Sequence, residues 1–139
     1  PGSEAALQPR DVANVAWALA AHGEEATQLQ VGGGKFGFQV LHSAIMRTLS
    51  SSRVDKFAAQ HISNLAWSFA KLLISEPFAF RTIARLAVAK LTSFEPQHLA
   101  SLPWALARVL FSDGMLLDKV AQASLARLHR FSPQSALQR

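Results

Sequence analysis

The sequence predicts an all-α protein: an α-solenoid of stacked helical hairpins with a repeat of about 37 residues. Three observations carry this reading. The line NVAWALAAHG, starting at Asn14, returns as NLAWSFAKLL from Asn64 and as SLPWALARVL from Ser101. Phe57 and Phe94 lie 37 residues apart, as do Phe94 and Phe131, and Trp67 and Trp104. A fixed period between about 20 and 50 residues marks a repeat architecture. Finally, apolar residues recur at helical spacing, and no stretch alternates with period 2, so no strand is expected.

The first helix of each unit follows from its line. The units read LQPRDVANVAWALAAHG from Leu7, FAAQHISNLAWSFAKLL from Phe57, FEPQHLASLPWALARVL from Phe94, and a shortened FSPQSALQR from Phe131. In the second unit Ile62, Leu65, Ala66, Phe69 and Leu73 form one apolar helical face. Pro9, Pro96 and Pro133 take equivalent places, where the first helical turn has no use for the missing N–H. Pro103 breaks the local rule, since it falls inside the third unit's first helix and should cost a hydrogen bond and bend it. The second helices are expected at about Phe38–Ser50, Pro77–Thr92 and Met115–Arg130, with Phe80, Ile83, Ala84, Ala87 and Leu91 facing inward in the middle one.

Residues 1–139 therefore read as a single helical-repeat domain with units at about 7–56, 57–93 and 94–130, and a fourth starting at 131–139. It is read as a piece of a longer array. The first unit carries 13 extra residues, placed in the polar, glycine-rich stretch 22–38 and read as a flexible insertion.

Composition narrows the chemistry. Half of the 139 residues are apolar, enough to bury a core. Cysteine is absent, which excludes disulfides and thiolate metal sites. A net charge of +5 favours acidic partners such as nucleic acid. No apolar run reaches the roughly 18–20 residues that a transmembrane helix needs. The opening PGSEAALQPR is no signal peptide. VGGGKFGF falls short of a phosphate-binding loop, because Phe36 follows Lys35 and Leu29 stands where the first glycine belongs. His61 and His98 are equivalent residues about one helix spacing apart, too far to share a metal whose bonds to nitrogen are about 2 Å; capping or surface roles suit the histidines better. No Ser-His-Asp set, Cys-His set or carboxylate pair stands out. The chain reads as non-enzymatic, with no cofactor and no metal.

The combination of PQ-x-L-A, then N-x-A-W-A-x-A, then a second helix and a returning phenylalanine resembles the octotricopeptide and heptatricopeptide α-hairpin repeats of organellar proteins, often found with RAP domains. The resemblance covers nearly the whole chain from Leu7. It implies a right-handed α-solenoid that binds single-stranded RNA in a chloroplast or mitochondrion. Other members serve as architectural subunits of organellar complexes. The chain departs from the pattern in its 13-residue insertion and in lacking a RAP domain.

Two columns of side chains could meet RNA. On the first helices the stripe Gln60, Asn64, Trp67, Lys71 is repeated as Gln97, Ser101, Trp104, Arg108, and in the first unit as Arg10, Asn14, Trp17, Ala21. Amides read base edges, aromatics stack and cations hold phosphate. Packing competes with this for the tryptophans: beside Ala16, Ala20, Ala66, Ala70, Ala105 and Ala107 an indole would fill the gap between stacked helices, so Trp67 is expected to be mostly buried. Asn14, Asn64 and Ser101 are the base-edge candidates, against plain solvation. The second column is Arg53, Lys90 and Arg127, each four residues before the closing phenylalanine. With Lys71 and Arg108 these are the candidates for phosphate contact; the competing role is to offset a helix dipole at its C-terminus. The partner is thus single-stranded RNA or, on the alternative reading, a large organellar protein complex such as a ribosome, photosystem or respiratory complex, in which the chain is a non-catalytic scaffold.

Overall fold

The computed structural model describes residues 8–22 and 34–128, with side chains from residue 42 onward in the second stretch. Most of the glycine-rich insertion, the start at Leu7 and the fourth unit at 131–139 lie outside these residues. The described chain is all-helical and contains no strand. Six α-helices follow one another: α1 (Pro9–His22), α2 (Gly34–Leu49), α3 (Ala59–Lys71), α4 (Pro77–Ala89), α5 (Pro96–Arg108) and α6 (Gly114–Leu128). Short 3-10 turns at Val54–Lys56 and Leu91–Ser93 precede α3 and α5.

Consecutive helices pair as α1–α2, α3–α4 and α5–α6. The pairs lie in two layers. In one, α1 packs on α3 and α3 on α5; in the other, α2 packs on α4 and α4 on α6. The core between the layers holds Phe57, Phe69, Phe80, Phe94, Ile62, Leu65, Ile83, Leu102 and Leu106, all fully buried. Phe80 sits at its centre, edge-on to Phe69 at 6.1 Å and tilted against Phe111 at 5.8 Å. Both inward faces expected for the middle unit are buried, with one exception at Leu73.

Leu73 lies beyond the end of α3, not on its apolar face. Its φ is 57°, in the left-handed region, and its side chain is 64% exposed. It closes a Schellman cap: the Leu73 N–H donates to the Ala70 carbonyl at 3.1 Å and the Ile74 N–H to the Phe69 carbonyl at 2.8 Å. The same cap closes α5, where Leu110 has φ 58°, its N–H donates to Ala107 at 3.1 Å, and the Phe111 N–H donates to Leu106 at 2.9 Å. Glycine is the usual residue at this position, and an L side chain there costs roughly 1–2 kcal/mol.

Other boundaries also differ from expectation. The α2 helix starts at Gly34, four residues earlier than the spacing implied, inside the glycine-rich stretch. Glycine disfavours a helix by about 1 kcal/mol relative to alanine, so local propensity did not mark this start. The α4 helix ends at Ala89, and the chain passes into the 3-10 turn by Leu91. Helix α5 runs unbroken through Pro103. Among the described residues no helix is long and apolar enough to cross a membrane, and no buried side-chain nitrogen or oxygen lacks a hydrogen-bond partner.

Candidate nucleic-acid interface

The outer face of the α1–α3–α5 layer is built by where alanine falls. Ala13, Ala16 and Ala20 on α1, Ala66 and Ala70 on α3, and Ala105 on α5 are all buried. Small side chains let helix axes approach closely, and the Ser63 and Ser101 hydroxyls meet at 2.6 Å across α3 and α5. The alanines therefore make the contact themselves, and Trp17 and Trp104 stand at its outer edge. Trp17 is 46% exposed and Trp104 43% exposed, which corrects the expectation of packed indoles at those two positions. Trp67, against Trp17, keeps most of its ring covered, as expected.

Two of the indoles, Trp17 and Trp67, border a polar groove. Trp17 and Trp67 stand 6.2 Å apart, their planes inclined by 31°. Beside them, Gln60, Asn64 and Gln97 offer amides, Ser63 and Ser101 hydroxyls, and His98 an imidazole, around a volume of about 240 Å³. That is room for a heteroaromatic ring against an indole, with donors and acceptors at its edge. Asn64 is half-buried in the wall. Ser101 also lines the groove, with its hydroxyl held by Ser63. Asn14 is exposed on α1, and the groove does not include it. The Arg108 guanidinium lies 5.6 Å over the Trp104 ring, and its Nε–H donates to the Ala70 carbonyl at 3.1 Å, at the end of α3. Lys71 is exposed in the last turn of α3.

The two histidines act as caps. Nδ1 of His61 accepts the Ala58 backbone N–H at 3.2 Å, and Nδ1 of His98 accepts that of Glu95 at 3.0 Å. Each is the third residue of its helix, the place from which a capping box reaches back. The bonding assigns the ring proton to Nε2. Burial lowers the pKa of His61, helped by the charges of Arg10 and Lys90. Burial also lowers that of His98; Glu95 opposes it and Arg127 adds to it. Both rings are thus held neutral, as acceptance at Nδ1 requires. No group of three or more metal-ligating side chains occurs among the described residues.

The second column lies elsewhere. Arg53, Lys90 and Arg127 are half-buried on the side of the second helices. The Lys90 ammonium donates to the carbonyls of Asp55 and Phe57, tying the end of α4 to the turn ahead of α3. The structure does not bring this column to the groove. Sequence spacing found Gln60, Asn64, Gln97 and Ser101, but missed Ser63 and His98. Their part depends on which neighbouring helix each faces, and helical periodicity carries no such signal.

Fold and site together define a protein of packed helical hairpins with an aromatic, amide-lined groove on one layer. No family model, curated protein or solved structure matches this chain.

Proposed function

We propose that the chain is a non-catalytic RNA-binding module, an α-solenoid with a 37-residue repeat whose first-helix face takes single-stranded RNA. The observation that carries this is the exposed Trp17 ring set beside Trp67 on the amide-lined groove, with Trp104 exposed on the same row of helices. A tryptophan face left open to water costs apolar burial, and single-strand binders use such faces to stack bases. Asn64 is the base-edge reader in this reading, with Asn14 and Ser101 at the equivalent places. Lys71 and Arg108 hold phosphate. Lys90 directs donors to carbonyls of its own chain, so the column of Arg53, Lys90 and Arg127 carries less of the proposal. Support for the repeat comes from caps, 3-10 turns and helix starts that recur 37 residues on. The resemblance to octotricopeptide-type repeats extends the proposal to a chloroplast or mitochondrion.

A salt titration with a fluorescent, unstructured RNA oligomer tests it. Affinity should fall steeply with salt, by about 0.7 log units per log unit of salt for each phosphate neutralised. Substituting Lys71 and Arg108 together by glutamine should flatten the slope by up to roughly 1.4. Trp17→Ala should weaken binding about 5- to 150-fold, the range for one stacked base, while the melting curve barely moves. Asn64→Ala should change sequence preference and leave the slope alone. Absence of binding at low salt removes the RNA reading. The second reading, a scaffold subunit of a large organellar complex, draws on apolar side chains that stand in solvent at Leu110, Met115 and Leu128.

A further inference from the structure

One wall of the groove has its hydrogen-bonding polarity fixed by the fold. His98 is only 8% exposed. Its Nδ1 accepts the Glu95 N–H at 3.0 Å, and Phe94 meets the ring edge-on at 5.8 Å, so cap and packing together hold its orientation. Burial keeps the ring neutral, which leaves its one proton on Nε2. Nε2 has no partner in the chain, and among the described residues no fully buried side-chain nitrogen or oxygen lacks one. The Nε2–H therefore opens into the space that His98 lines, which is the groove. One turn along the same face of α5, the Ser101 hydroxyl donates to the His98 carbonyl at 3.4 Å and pairs with Ser63 at 2.6 Å. With the Ser101 proton so used, Ser63 is the donor within the pair, and the two oxygens offer the groove only lone pairs. A fixed donor thus stands beside fixed acceptors. The nearby amides can turn to either sense and set no polarity of their own.

We infer that this wall reads the Watson–Crick edge of one unpaired base stacked on the indole side of the groove, with the His98 Nε2–H as the reading donor. The inference rests on the RNA reading above and names what that site takes. The wall complements an acceptor that lies next to a donor. The Watson–Crick edge carries that pair on every base: a ring nitrogen beside the amino group in adenine and cytosine, and a carbonyl beside the ring N–H in guanine and uracil. The opposite edge repeats it only in adenine; guanine shows two acceptors there, and the pyrimidines a single polar group. In a duplex the Watson–Crick edge is taken by the other strand. The polarity of the wall therefore selects single strands without reference to phosphate. His61 supplies an internal contrast: it makes the same cap, with the Ala58 N–H, but does not line the groove.

Fluorescence anisotropy with three labelled oligouridylates tests the inference: plain uridine, N3-methyluridine, whose methyl group blocks the Watson–Crick edge, and 5-methyluridine, whose methyl group sits on the other edge. The N3-methyl oligomer should bind about 5- to 150-fold more weakly than the plain one, the range for one misread base, and the 5-methyl oligomer should bind as the plain one does. On the protein side, His98→Asn keeps an acceptor where Nδ1 lies and leaves nothing at the place of Nε2. It should lower affinity for oligouridylate about 2- to 13-fold, the range for one hydrogen bond. His61→Asn should shift the melting temperature alike and leave RNA affinity unchanged. Equal binding of the N3-methyl and 5-methyl oligomers overturns this inference and leaves the RNA reading standing. So does an RNA affinity that His98→Asn and His61→Asn change equally. Absence of binding by plain oligouridylate at low salt overturns both.

Discussion

Helices α4 and α6 occupy corresponding places 37 residues apart, yet they bury themselves very differently. The α4 helix lies between α2 and α6 and covers Ala79, Phe80, Thr82, Ile83, Ala84, Leu86 and Ala87. The α6 helix covers Leu116 and Val120, and exposes Met115, Leu117, Leu125 and Leu128. Leu117 stands where Phe80 stands one hairpin earlier, at 40% exposure against 1%. Apolar identity is similar in both helices; the difference is in the neighbours. In stacked hairpins each element draws stability mainly from those beside it, so equivalent residues carry unequal weight.

The largest test of that contrast is a pair of substitutions at equivalent positions. Phe80→Ala should cost about 3–5 kcal/mol in urea unfolding, since it empties a site enclosed by Phe69 and Phe111. Leu117→Ala should cost less than about 1 kcal/mol. Equal costs would mean that α6 is as enclosed as α4. A smaller effect is expected at Lys90. Lys90→Met removes the donor to the Asp55 and Phe57 carbonyls, and should lower stability by about 1–2 kcal/mol with no change in RNA affinity. A loss of RNA affinity without loss of stability would return the second-helix cations to the phosphate role.

The smallest expected effect concerns the histidine caps. His61 and His98 have folded pKa values below the ordinary 6.5, chiefly through burial. Their contribution is therefore present in full above about pH 6.5 and is lost as pH falls below it, because the unfolded chain then binds more protons. The urea midpoint should drop modestly between pH 7.5 and 5.5. Replacing both by glutamine, which can still accept the N-cap N–H from the third helical position, should keep the midpoint at pH 7.5 and flatten its decline. A decline that persists in the glutamine variant would place the titration elsewhere.

Local chemistry, readable in the chain itself, determined the helices and several of their first turns. Apolar spacing at 3.6 residues marked the inward faces of α3 and α4. Proline marked the first turns of α1, α4 and α5, and the return of phenylalanine at 57 and 94 marked the turns between hairpins. These are interactions among residues a few positions apart, so a linear reading recovers them. The tertiary structure decided what depends on distances between helices. Alanine contacts among α1, α3 and α5, with the Ser63–Ser101 pair between α3 and α5, left Trp17 and Trp104 facing outward. The α2 helix starts at Gly34 against glycine's propensity, and the Schellman caps put Leu73 and Leu110 into a backbone that leucine itself disfavours. Lys90 reached carbonyls more than thirty residues away. The outward indoles and the Lys90 bonds are set by neighbours that periodicity cannot name, since the energy that selects them belongs to the contact and not to the residue.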